Sequence, residues 1–176
     1  MARFSILLVF FRKNDRNVHG GVHMAEMRMD NAREPEQLRR MQELAESGEC
    51  HFCLENFVRR YPDKILHGGP DWYIVKNNFP YEGSVHHYLI VSKLHITKVN
   101  EVSYSGRMEL FSSIVWLEKY LEVTGESIFV RSGDMDYTGA TLDHLHFHFL
   151  VGVKKPNQEK DVPEDVIWAP LGYKKK

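Results

Sequence analysis

His144, His146 and His148 alternate with Leu145, Phe147 and Phe149 near the end of this 176-residue chain. Imidazole can be a nucleophile, a proton donor or a metal ligand near neutral pH. Strict polar/apolar alternation reads as a half-buried strand whose successive side chains face opposite sides. The three imidazoles then share one face, roughly 6.5–7 Å apart along the strand. Leu145, Phe147 and Phe149 turn into a core. A strand that needs only a polar face takes Thr, Lys or Glu, so this spacing points to chemistry. The plainer readings are a His-rich surface strand or a metal-binding patch. Cys50 and Cys53 are the only cysteines. Cys-x2-Cys supplies two thiolates at a spacing that suits one tetrahedral ion.

These groups need elements to hold them. Pro35 to Glu46 reads as a helix with Pro in its first turn and Leu38, Met41, Leu44 and Ala45 on one side. Gly48 is its stop. Strands are expected at Trp72–Lys76, His87–Val91, Ser127–Val130 and His144–Val151. The main helix runs from Arg107 to Leu121, with an apolar stripe of Leu110, Phe111, Ile114, Val115, Leu117 and Leu121, and Gly125 beyond as a stop. A long helix between strand pairs argues for an α+β fold, an antiparallel sheet with helices on one face. Residues 1–33 read as an N-terminal extension and linker. Residues 34–153 form the domain, with its opening helix over 35–46. Residues 154–176 form a tail whose apolar part, Val166–Tyr173, packs on the sheet or on a partner. The apolar Ser5–Phe11 stretch reads as an extra strand or a translated leader.

The residues around the histidines resemble a known family. Gly139-Ala140-Thr141-Leu142-Asp143 leads into His144-Leu-His-Phe-His-Phe-Leu150, which fits the His-φ-His-φ-His-φ-φ pattern, φ being apolar, of the histidine triad (HIT) nucleotide hydrolases and transferases. His87-Tyr-Leu-Ile-Val-Ser-Lys-Leu-His95 is similar to that family's second histidine-bearing strand. Asn77-Asn78-Phe79-Pro80-Tyr81 resembles a stretch of the branch that acts on dinucleoside polyphosphates. The resemblance covers roughly residues 50–153. Ser92 and His86 stand where the family usually has Pro and Gly, Ala140 replaces a frequent Gln, and Arg131 lies near where some members carry Asn.

The resemblance implies a HIT-like antiparallel sheet with a long helix packed on one face. It implies attack by His146 on the α-phosphorus of a nucleotide, giving a covalent nucleotidyl-histidine intermediate. His148 would contact the phosphate and help protonate the leaving group. His87, rather than its neighbour His86, would complete the polar wall. Thr141 would offer a hydroxyl and a backbone N–H to the phosphates. Asn77, with Asn78 as fallback, would bind ribose, and Phe79 would stack on the base or join the core. A structural zinc, one per chain, would be held by Cys50, Cys53, His95 and His144. No organic cofactor is expected. The substrate would be a nucleoside phosphoanhydride or phosphoramidate, dinucleoside polyphosphates included, and homodimers are common in the family. Asp143, the one carboxylate beside the triad, is expected to face away from it, so no metal needs to bridge the phosphates.

The composition bounds the alternatives. The formal net charge is −1, so no global field favours nucleic acid or a membrane surface. No apolar run reaches the length of a spanning helix. Two cysteines without a secretion signal fit a reduced, cytoplasmic setting. The competing reading is a non-catalytic, zinc-stabilised nucleotide-binding module in which the triad only ligates.

Overall fold

The computed structural model describes residues 26–154 and 166–175. The Ser5–Phe11 stretch and most of the N-terminal extension lie outside the described residues. The elements are α1 (Pro35–Glu46), α2 (Leu54–Arg60), β1 (Ile65–Gly68), β2 (Trp72–Lys76), β3 (His86–Ser92), α3 (Tyr104–Leu121), β4 (Ser127–Val130), α4 (Met135–Thr138) and β5 (His146–Val151). The strands form one antiparallel sheet in the order β1-β2-β3-β5-β4. The fold is α+β, with the long helix on one face of the sheet.

Strand alternation sorts the side chains. Trp72, Ile74, Ile90 and Phe149 pack with Leu110, Ile114 and Leu117 of α3. Each such buried side chain contributes about 1.5–3 kcal/mol. The Trp72 indole N–H also donates to the Gly106 carbonyl at 2.8 Å, which fixes α3 across β2. The Ser103 hydroxyl caps α3 by accepting from the Gly106 N–H at 2.9 Å. The opposite face carries Tyr73, Val75, Leu89 and Val91, closed by Phe57 of α2. His87 and His148 follow the parity of this second face.

Several expectations change. Helices do not keep to one face, because α2 covers the side opposite α3. This helix and β1 are short, and their residues carry too few periods to stand out in sequence. Phe111 and Val115 are exposed, not core. The buried line of α3 runs through Leu110, Ile114 and Leu117, and a neighbour in sequence lies about 100° round the helix. The helix ends at Glu122, in a left-handed conformation at φ 52°, before Gly125 is reached. In α1, Gln37 is buried, its Oε1 accepting from the Arg33 N–H, and Ala45 is exposed. β5 begins at His146, so His144 precedes the strand.

The described residues before α1 and those of the tail both approach the lead-in to β5. Met27 bridges to Leu142, and the Asn31 side chain donates to the Ala140 carbonyl at 2.8 Å. The Tyr173 hydroxyl donates to Asn31 at 2.7 Å, and the Gly172 N–H to the Thr138 carbonyl at 3.2 Å. The described tail segment therefore meets the Met135–Ala140 stretch and the residues before α1, with Ile167 beside Gly83 and Gly152 and the Pro170 carbonyl accepting from Arg131 at the sheet's end. Among the described residues, no helix is long and apolar enough to cross a membrane.

Candidate functional site

β3 and β5 are the central pair, and their register builds the site. Val91 pairs with His146, Leu89 with His148 and His87 with Leu150. His87 and His148 are diagonal neighbours on one face, within reach of each other. Their Nε2 and Nδ1 atoms lie 2.9 Å apart. His87 is 2% exposed. His86, one residue earlier, points to the other face beside Tyr88.

Three orientations are fixed by hydrogen bonds. The His146 Nδ1 lies 2.6 Å from the His144 carbonyl oxygen, so Nδ1 carries the proton and Nε2 keeps its lone pair. The Tyr81 N–H donates to His87 Nδ1 at 3.1 Å, so the His87 proton is on Nε2 and points at His148 Nδ1. His148 therefore accepts at Nδ1 and carries its own proton on Nε2. Burial lowers the pKa of His146 to about 4 and that of His87 to about 4. Burial, then the His146 and Arg131 charges, holds His148 well below the usual imidazole range. All three imidazoles are neutral at pH 7.

Aromatic rings hold them in place. Phe129 stacks on His148 at 4.4 Å, Tyr81 stacks on His87 at 5.0 Å, and Phe52 meets His146 edge-on at 5.2 Å. A cleft opens beside His146 and His148, and Asn77, Phe79 and Thr141 line it. The Asn77 side chain lies against the His87 ring, and its Oδ1 accepts from the Phe79 N–H at 3.0 Å. Asn78, left open as a fallback by the sequence, is exposed and outside the cleft.

Arg33, Arg40, Arg131 and His51 also line the cleft, and no short-range pattern announced them. Arg33 comes from the segment before α1, 46 residues from the Phe79 carbonyl to which it donates at 2.6 Å. Its guanidinium lies 4.2 Å over the Tyr81 ring. Arg131 had drawn notice only as a departure from the family pattern. Its position two residues beyond Phe129, on the parity of the site face, is the signal that could have found it.

Next to the cleft, four sulfur and nitrogen atoms converge. Cys50 and Cys53 Sγ and one ring nitrogen each from His95 and His144 lie within 4.8 Å of one another. Cys50 Sγ is 3.2 Å and Cys53 Sγ 3.9 Å from His144 Nδ1, and Cys53 Sγ is 3.5 Å from His95 Nδ1. Ligands of one tetrahedral zinc stand roughly 3.3–3.8 Å apart. The His144 Nε2–H donates to the Ser92 carbonyl at 2.7 Å, which leaves the Nδ1 lone pair facing the thiols. This is the outer hydrogen bond that orients a metal-bound imidazole. The donor set and its orientation fit a metal site.

Comparison with known proteins agrees with this architecture. The structure of a HIT family hydrolase from Clostridium thermocellum is similar, with 25% identity and a TM-score of 0.50, over 63% of this chain and 96% of that one. A histidine triad protein from Clostridium difficile matches at 22% identity and TM-score 0.48, over 62% and 96%. A histidine triad nucleotide-binding protein from Candida albicans matches at 22% and 0.48, over 64% and 87%. The comparison with curated proteins returned no significant match. The sequence profile of the HIT domain matches residues 58–155, a span that starts within α2 and takes in the whole sheet, α3 and the triad. That span is more than half of the chain, and on this ground the chain belongs to the HIT domain family.

Proposed function

We propose that this chain is a nucleotidyl hydrolase or transferase that cleaves a nucleoside phosphoanhydride or phosphoramidate at the α-phosphate. The observation that carries the reading is the 2.6 Å contact between His146 Nδ1 and the His144 carbonyl. It leaves a neutral imidazole with its Nε2 lone pair free, which is the state a nucleophile needs. The Nε2 pair forms a bond to phosphorus while the bond from phosphorus to the leaving-group oxygen or nitrogen breaks. The bonding pair departs with that atom. His148 Nε2–H hydrogen-bonds to it and offsets its developing charge, a leaving amine takes its proton from solvent, and His87 and Tyr81 hold His148 in the tautomer that can do so. Water or phosphate then displaces the imidazole, and the P–N pair returns to Nε2. The acceptor's surplus proton passes to solvent, and His148 keeps its Nε2–H throughout.

Asn77 is assigned to ribose, Thr141 to the phosphates and Phe79 to the base. Cys50, Cys53, His95 and His144 would hold a structural zinc, one per chain. Such an ion would supply cross-linking of the segment before α2 to the β3–β5 pair. We assign residues 34–153 to the catalytic domain, 1–33 to an extension and 154–176 to a tail. A homodimer in the cytoplasm is the proposed working form. The exposed stripe of Met108, Phe111 and Val115 on α3 supports that assembly.

The test is mass spectrometry of the acid-free, quenched protein after mixing with dinucleoside polyphosphates and nucleoside phosphoramidates. A nucleotidyl adduct on His146 is expected. Nucleotide binding without adduct or turnover on any substrate would favour the non-catalytic binding module.

A further inference from the structure

The tautomers fixed above leave the contact between Arg131 and His148 unexplained. Arg131 Nη1 lies 3.1 Å from His148 Nε2. Guanidinium only donates. His148 Nε2 also carries a proton, because its Nδ1 accepts from His87. The reverse assignment would strip His87 of both protons, since the backbone N–H of Tyr81 already claims its Nδ1. Two donors thus face each other with no acceptor between them. Arg131 is anchored through its other nitrogen. Nη2 donates to the Tyr81 hydroxyl at 2.7 Å and to the Pro170 carbonyl at 2.6 Å. Its Nε is buried without a partner among the described residues.

The charges around this pair point the same way. Arg33 and Arg131 both act on His87 and His148. No carboxylate is among the cleft-lining residues described, and none of Arg33, Arg40 and Arg131 is in an ion pair among the described residues. A cationic cleft that lacks its own counter-charge awaits an anion.

We propose that Arg131, together with His148 Nε2–H, binds an anionic oxygen of the leaving group, and that this makes the enzyme select nucleotides whose leaving group is itself charged. This inference rests on the proposed role of His148 beside the leaving atom. An α-phosphate is common to every substrate of the reaction, so a guanidinium there would not discriminate. A guanidinium sharing the leaving-group donor does. The substrate class is then a nucleoside diphosphate or longer phosphate chain, free or esterified, rather than a phosphoramidate that releases an amine. Arg33, over the Tyr81 ring, adds charge along the same wall.

The experiment measures two things on the full chain. The first is affinity, by calorimetry, for α,β-methylene ADP and α,β-methylene GDP against adenosine and guanosine 5′-phosphoramidate. The wild-type protein should prefer the methylene diphosphates by about tenfold or more, as expected of a charge-assisted hydrogen bond. Arg131→Asn should reduce that preference to within about threefold, and Arg131→Lys should restore part of it. The second is kcat/KM for a diadenosine polyphosphate against an adenosine phosphoramidate with an amine leaving group. Arg131→Asn should lower the first selectively. Equal affinities in the wild-type protein, or an unchanged preference in Arg131→Asn, overturns the proposal. So does an equal loss on both substrates, which marks a role in folding only. Equal affinities in the wild-type protein with the His146 adduct intact fail this inference alone. Absence of the adduct fails the reaction, and the binding preference still decides whether Arg131 seats an anion.

Discussion

The carbonyl oxygen of His144 accepts the Nδ1 proton of His146 at 2.6 Å, while the ring of His144 turns away to the thiols of Cys50 and Cys53. One residue therefore serves two neighbouring sites with different atoms. Its side chain belongs to the sulfur cluster and its backbone sets the tautomer of the next histidine. The three histidines of one strand pattern thus stand in different surroundings.

His146→Ala should abolish turnover, by about 10³-fold or more, as expected when a group acting in the transition state is removed. Nucleotide binding and far-UV circular dichroism should persist, because the sheet holds the strand through Leu145 and Phe149. Near-normal turnover in this variant would rule out covalent catalysis at His146.

Purified protein should contain about one zinc per chain by elemental analysis. Cys50→Ser should lower both zinc content and melting temperature, because binding free energy at such a site is folding free energy. Metal-free protein that melts at the same temperature as metal-loaded protein would refute a structural ion.

The pH dependence of stability follows from the depressed imidazoles. His87 has a folded pKa of about 4, below the ordinary 6.5, because burial and the Arg33, His146 and Arg131 charges disfavour its proton. As pH falls, the unfolded chain takes up this proton first. The stability due to neutral burial is therefore complete above the unfolded pKa, about 6.5, and is lost as pH falls toward the folded value, about 4. One such group contributes at most about 3 kcal/mol across that window. Urea unfolding between about pH 7 and 4.5 should show this loss, and His87→Gln should reduce it by one group's share, leaving that of His146 and His148. An identical slope in that variant would show that His87 does not titrate as stated.

How far the sequence reveals this molecule depends on the range of each contact. The triad strand, β2, β3 and α1 were legible because their signals lie within a few residues: alternation, β-branched runs, or Pro at a helix start. His87 was separable from His86 by parity alone, and the structure puts His87 on the site face. Cys50 and Cys53 announced a pair of thiolates, but their histidine partners came only from resemblance, since 94 residues separate Cys50 from His144. Arg33 was hidden for the same reason: its place over Tyr81 is a tertiary fact. Phe111 and Val115 misled because an apolar residue on a long helix looks alike whether it faces a core or a partner.

That ambiguity supplies the last prediction. Tyr104, Met108, Phe111 and Val115 recur at helical spacing on the exposed side of α3, and Phe111 is 67% exposed. β4 is a sheet edge, with Ile128 exposed on it. A sheet edge that is unpaired among the described residues and an apolar stripe of this kind need cover in a stable protein. If two copies cover each other, sedimentation equilibrium should give twice the 20.6 kDa chain mass. Phe111→Glu would place a charge in that interface and should shift the protein to monomer at micromolar concentration. Its circular dichroism should be unchanged, because Phe111 is exposed and outside the core cluster of the described residues. A wild-type protein that sediments as a monomer, or a Phe111→Glu variant that remains dimeric, would remove α3 from the interface.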